Sequence, residues 1–150
     1  EKNRVPILFH TGLVSVVPED AEFGVGSARM QIVYLSTIAA RFRKLNLFAA
    51  HFGWPLYQMA ASLTFDWMFT NIFLDICGGP NVMVGMIKAG QLEPSIIKSH
   101  KMVYGFDSGA GSNLANDIML WDTTLANAGY DKNDREMIFA KNTEKLLGLR

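Results

Sequence analysis

The sequence predicts an α/β protein in which parallel strands alternate with helices, and three observations carry that expectation. Short, nearly continuous apolar runs recur along the chain. Each is followed by a stretch with apolar residues at helical spacing, and glycine or proline marks most boundaries. Apolar runs without polar alternation belong to parallel strands covered on both faces. Consecutive strand–helix units imply right-handed crossovers. Spacing alone leaves two arrangements open, a doubly wound open sheet and part of a closed barrel.

The first unit opens with Val5-Pro6-Ile7-Leu8-Phe9, a strand ending at His10, with proline near its start where a missing N–H costs least. A loop containing Pro18, Gly24 and Gly26 leads to a helix with Ile32, Leu35, Ala39 and Phe42 on one side. Arg41, Arg43 and Lys44 close that helix, where cations complement its dipole, and read as a solvated terminus. The second strand, Leu47 to Ala50, runs into His51, and Gly53-Trp54-Pro55 makes the turn. Leu56, Met59, Ala60, Leu63 and Trp67 give the next helix an apolar stripe. Asn71 to Cys77 is the third strand, closed by Gly78-Gly79-Pro80. A weaker helix follows from Asn81 to about Ala89, with Gly90 just past its end. The fourth strand, Lys101 to Phe106, ends at Asp107. Leu114, Ile118, Trp121 and Leu125 then repeat at helical spacing. Asp131 with Asp134 makes a capping box, and a last helix with Leu146 and Leu147 stops at Gly148.

Composition narrows the function classes. The 150 residues suffice for one domain with its own core. Fourteen Lys and Arg balance fourteen Asp and Glu, which argues against a nucleic-acid partner. Hydrophobic residues make up 49% and charged residues 19%, which excludes a disordered chain. The single cysteine, Cys77, rules out an internal disulfide and suits a reducing, cytoplasmic compartment. Residues 45–65 carry no charge, yet Asn46, His51, Gly53, Pro55, Gln58, Ser62 and Thr64 interrupt them, so no membrane span is expected. A mean hydropathy of +0.13 is slightly high, which implies either a generous core or apolar surface that awaits a partner. The start at Glu1, without an initiator Met or a signal peptide, suggests an internal piece or a processed product.

Three of the four strands end in a potential metal ligand or acid–base group: His10, His51 and Asp107. The C-terminal strand ends carry the chemistry in both α/β arrangements. Taken singly, His10 is the ordinary hydrogen-bonded histidine of a strand end, and Asp107 before Ser108-Gly109 an ordinary cap or turn residue. Three equivalent positions together point to a shared site. Imidazole nitrogen and carboxylate oxygen suit Zn, Mn or Fe. His100 lies before the fourth strand, at the opposite end, and reads as non-catalytic. Cys77 has no neighbouring base or cation in sequence to make it a nucleophile. The eight methionines are scattered and read as core filling.

Four segments, Pro-Ile-Leu-Phe-His-Thr-Gly (6–12), Ala-Ala-His-Phe-Gly-Trp-Pro (49–55), Tyr-Gly-Phe-Asp-Ser-Gly (104–109) and Asn-Thr-Glu-Lys-Leu-Leu-Gly-Leu (142–149), resemble in order and spacing the signatures of the amidohydrolase superfamily. The similarity is to its amidohydrolase-related branch, which includes aminocarboxymuconate semialdehyde decarboxylase and γ-resorcylate decarboxylase. The resemblance implies that residues 1–150 are one domain, the C-terminal half of a (β/α)8 barrel of the TIM type, supplying strands five to eight. It implies a divalent metal, Zn first with Mn or Fe as alternatives, held by His10 and Asp107. His51 and Asp107 would be the catalytic pair, His51 meeting the substrate and Asp107 moving a proton. The family's strand-one His-x-His pair is absent, and Phe106 stands where the family has a small residue before the aspartate.

The function this implies is metal-dependent hydrolysis or non-oxidative decarboxylation of a small carboxylated or cyclic substrate. Trp54 and Phe52 beside His51 suit a flat substrate, and ordinary packing explains them equally well. His10 and Asp107, with His51, are few ligands for a catalytic zinc. The expected partner is therefore a second copy or the missing N-terminal half. The alternative is a non-catalytic half-barrel that works only by such assembly. A phosphate-binding α/β domain is disfavoured, because His10-Thr11-Gly12-Leu13-Val14 is no glycine-rich loop.

Overall fold

A computed structural model of the chain describes residues 5–12, 30–77, 81–107 and 113–149. The expected loop at Pro18, Gly24 and Gly26, the Gly78-Gly79-Pro80 turn and Ser108-Gly109 lie outside the described residues. The fold is α/β, with four parallel strands in one sheet in chain order: β1 (Ile7–Phe9), β2 (Leu47–Ala49), β3 (Ile72–Ile76) and β4 (Met102–Tyr104). A doubly wound sheet needs a reversal of strand order, and these four strands have none. The chain divides into two compact units, residues 1–74 and 75–150.

In the first unit, Ile7, Leu8 and Phe9 pair with Leu47, Phe48 and Ala49, which pair in turn with Ile72, Phe73 and Leu74. Alternation puts Leu47, Ala49, Ile72 and Leu74 on one face, and all four are fully buried. Each such leucine or isoleucine contributes roughly 1.5–3 kcal/mol by leaving water. Helix α1 (Val33–Arg41) packs against β2 through this unit's core, burying Leu35 and Ala39. The opposite face carries Leu8, Phe48 and Phe73, and the two phenylalanine rings meet edge to face at 5.9 Å. β1 departs from the expectation of strands covered on both faces. Among the described residues it pairs on one side only, and Ile7 and Leu8 are 42% and 59% exposed.

Buried Asn71 ties α1 to the start of β3. Its amide donates to the carbonyls of Ala39, Phe42 and Leu45, at 3.4, 3.1 and 2.9 Å, so one side chain satisfies the helix end and the turn beyond it. Asn71→Ala is expected to cost about 1–2 kcal/mol, because buried carbonyls lose their donor. A urea-denaturation midpoint equal to wild type would contradict this.

Helix α2 (Tyr57–Leu63) is shorter than its apolar stripe implied. The Thr64 hydroxyl donates to the Ala61 carbonyl and the chain turns there, so Trp67 falls outside the helix. Trp67 is 78% exposed and stacks on Phe65 instead of joining the core. Arg41, Arg43 and Lys44 are exposed, as expected of a solvated helix end.

In the second unit, α3 (Asn81–Lys88) ends before Gly90 in a left-handed conformation (φ 63°). A short 3-10 turn, Ser99–Lys101, leads into β4. Helix α4 (Leu114–Asn127) starts from an Asn113 cap and buries Trp121 and Leu125, while Leu114 and Ile118 of the same stripe stay largely exposed. α5 (Lys132–Glu136) has the expected Asp131/Asp134 capping box. It runs through a π-helical turn (Met137–Lys141) into α6 (Asn142–Leu147), which Gly148 ends at φ 70°. Buried Asn142 donates to the carbonyls of Ser99 and Met102, fixing α6 to the entry of β4. No helix among the described residues is long and apolar enough to cross a membrane.

Candidate functional site

His10 follows β1 directly, and His51 lies in the tight turn Ala50–Gly53 after β2. Both His51 (φ 58°, ψ 25°) and Phe52 (φ 55°, ψ 23°) take the left-handed conformation, which costs a non-glycine residue roughly 1–2 kcal/mol. Surrounding contacts enforce it. Phe52 is 1% exposed, so its ring anchors the turn in the core. The Trp54 N–H donates to the His51 carbonyl at 3.0 Å, and the Leu56 N–H to the Gly53 carbonyl at 2.8 Å. Two left-handed residues in succession reverse the chain and turn the His51 ring toward His10.

The loop after β1 is locked to this turn. The buried Thr11 hydroxyl donates to the Ala50 carbonyl. Gly12 (φ 98°) lies so close to Trp54 that a Cβ there would stand 1.9 Å from the Trp54 carbonyl oxygen. The Gly12 N–H donates to the Met30 carbonyl at 2.7 Å. The outcome is a histidine pair, His10 Nδ1 and His51 Nε2 being 3.2 Å apart with ring centroids at 4.6 Å. One nitrogen can donate to the other, depending on tautomer. The same separation suits two nitrogens on one metal, since ligands at 2.0–2.1 Å in tetrahedral directions stand about 3.3 Å apart.

In the second unit, Asp107 follows β4 and is exposed. The Tyr104 hydroxyl donates to Asp117 at 2.6 Å and its ring packs on Phe139, which fixes the end of β4. Burial is the main cause that holds the Tyr104 phenol in its neutral form, with the Asp117 hydrogen bond adding to it. His100 sits in the 3-10 turn before β4, at the opposite end of that strand from Asp107, as its sequence position implied.

The residue that sequence reasoning passed over is Asp75, in the middle of the apolar run of β3. It is 7% exposed, and its Oδ1 has no hydrogen-bond partner among the described residues. Its carboxylate lies against Gly105, where a Cβ would be 2.4 Å from Oδ1 and 2.9 Å from Cγ. Burial pushes the Asp75 carboxyl up to about 6, the Cys77 hydrogen bond opposes the rise, and the Asp107 charge adds to it. Cys77 is half-buried and is thus a partner of this carboxylate. A lone charge in a fully buried strand, Ile-Phe-Leu-Asp-Ile, was the available signal.

Among the described residues no group of three or more His, Cys, Asp and Glu side chains is arranged to hold a metal ion. The first unit offers two imidazole nitrogens, and the second two carboxylates. Neither a family model nor a curated protein matches the chain.

Proposed function

We propose that the chain carries part of the active site of a metal-dependent hydrolase or non-oxidative decarboxylase of the amidohydrolase type, acting on a small carboxylated or cyclic substrate. The observation that carries this reading is the approach of His10 and His51 from two consecutive strand ends to 3.2 Å. Four parallel strands in unbroken chain order support it, because a (β/α)8 barrel is built in that order. In this reading they are strands five to eight.

The donor set suits a divalent metal, Zn first, with His10 and Asp107 as ligands. When bound, such a metal polarises a carbonyl and brings the pKa of water to about 7. His51 then donates to the substrate's carbonyl or carboxylate oxygen, and its rigid left-handed turn sets the direction of that hydrogen bond. Asp107, open to solvent, takes the proton in hydrolysis or exchanges it with the substrate carbon in decarboxylation. Trp54, 39% exposed in the same turn, is available to a flat substrate, whereas Phe52 is core.

A second reading, a half-barrel completed by another copy or by an N-terminal half, is favoured by the apolar exposure of β1. The two are compatible if the partner supplies the remaining ligands. Expected results are that His10→Ala and Asp107→Asn each weaken Zn affinity tenfold or more, while His51→Asn keeps the metal and lowers turnover in hydrolase or decarboxylase assays. Equal metal retention in all three variants would contradict the assigned roles.

A further inference from the structure

We propose that the cleft between α4 and the α5–α6 run binds an unbranched monocarboxylate of medium chain length, with the carboxylate on Arg135 and Lys132 and the chain over Ile118, Phe139 and Ala140. This goes beyond the function proposed above and shares no residue with it. The cleft has a volume of about 530 Å3, within the range of small-molecule sites, which are mostly apolar and often lie between helices. Lys132, Glu136, Ala140 and Glu144 recur every four residues along one wall, a span of about 18 Å by helical rise. Spread over that length, the volume suits an alkyl chain better than a ring system. Its walls are fixed before any ligand arrives. Arg135 Nε donates to Asp122 of α4 at 2.7 Å, and Arg135 Nη1 to the Tyr130 carbonyl at 2.7 Å. The Tyr104 hydroxyl holds Asp117, the neighbour of Ile118, and the Tyr104 ring lies 5.1 Å from that of Phe139. Phe139 and Ala140 stand in the π-helical turn, and such turns gather at functional sites. Ile118 is 38% exposed, so the apolar floor is open to a ligand.

Charge decides the head group. Asp122 and Glu136 already hold cations, Arg135 at 2.7 Å and Lys141 at 2.6 Å, which leaves them poor partners for an amine. Lys132 makes no hydrogen bond or ion pair among the described residues, its charge acting only as a minor influence on the Glu136 carboxyl. Arg135 has engaged two N–H groups, and its guanidinium carries five. A planar carboxylate matches that fork. A phosphate dianion suits the cleft less, because Asp122, Glu136 and Glu144 line the same walls and repel a second negative charge.

The test is isothermal titration calorimetry of the whole chain at pH 8 with sodium octanoate, octylammonium chloride and octyl phosphate, alongside thermal melts of each variant. Wild type is expected to bind octanoate saturably at one per chain, and the other two more weakly. Lys132→Glu, at an exposed position, is expected to weaken octanoate binding about fivefold or more without lowering the melting temperature. Ala140→Leu, which fills the floor and leaves every charge in place, should weaken it likewise, and His10→Ala should leave it unchanged. The proposal is overturned if octanoate binding does not saturate, if octylammonium or octyl phosphate binds as tightly, or if either cleft variant binds octanoate as wild type does. Binding that survives Lys132→Glu but is lost in His10→Ala would overturn this site and leave the functional reading standing.

Discussion

Replacing Gly12 with alanine is expected to destabilise the chain by more than about 3 kcal/mol and to separate the two histidines. At φ 98° an L-residue is strained by roughly 1–2 kcal/mol before any contact is counted. The new Cβ would also stand 1.9 Å from the Trp54 carbonyl oxygen, 2.9 Å from its carbon and 3.2 Å from the Trp54 nitrogen. These are backbone atoms, which have no rotamer to escape into. The loops after β1 and β2 must therefore part, and the Gly12–Met30 and Thr11–Ala50 hydrogen bonds, each worth about 1 kcal/mol, go with them. Because His10, the proposed metal ligand, sits on the first of those loops, the metal affinity proposed for it should fall together with stability. Urea denaturation and a Zn titration of the same variant check this. A midpoint within error of wild type would show that the loops are not locked as described.

Asp75→Asn is expected to gain stability relative to wild type as pH rises, by roughly 2–3 kcal/mol between pH 4 and pH 7. The sign follows from the raised pKa. In the unfolded chain this carboxyl titrates near 4, whereas in the fold it holds its proton up to about 6, chiefly because burial disfavours the charge. Its protonated form therefore stabilises the fold fully below about pH 4, and that contribution is lost as pH rises through 6. An asparagine of the same shape does not titrate, so the difference between the two proteins isolates this group from every other carboxylate. Denaturation midpoints of both proteins, measured from pH 4 to 8, give the curve directly. A difference independent of pH would mean that Asp75 is not held in a buried, charge-disfavouring place.

What was legible in the sequence was local. Asp131 and Asp134 formed the capping box that their spacing required, and Gly90 and Gly148 ended their helices in left-handed conformations. All four strands stood where apolar runs lay between turn residues, each one to three residues shorter than its run. Trp67 misled, because helical spacing says nothing about where the Thr64 hydroxyl will turn back on the Ala61 carbonyl. Leu114 and Ile118 kept the period of α4 without being buried, since periodicity locates a face and not what covers it.

At the site, the positions of His10, His51 and Asp107 after their strands were readable from the runs that precede them. How close His51 comes to His10 was not. Its approach to His10 depends on two consecutive left-handed non-glycine residues, which no propensity favours, and on a contact between Gly12 and Trp54 that spans 42 residues (54 − 12). Asp75 escaped because the apolar run around it reads as a strand whether or not one member is charged. Its meaning emerges only from Gly105, thirty positions on (105 − 75), whose lack of a side chain makes room for it.

The central proposal is that His10 is a metal ligand, with His51 held beside it to meet the substrate. Its most direct test is metal content, measured by elemental mass spectrometry on the chain purified without nickel affinity or chelator, compared with the His10→Ala variant. The account expects about one Zn, Mn or Fe per chain in the wild type and a loss of most of it in the variant. Equal metal in the two proteins, or none in either, would contradict it.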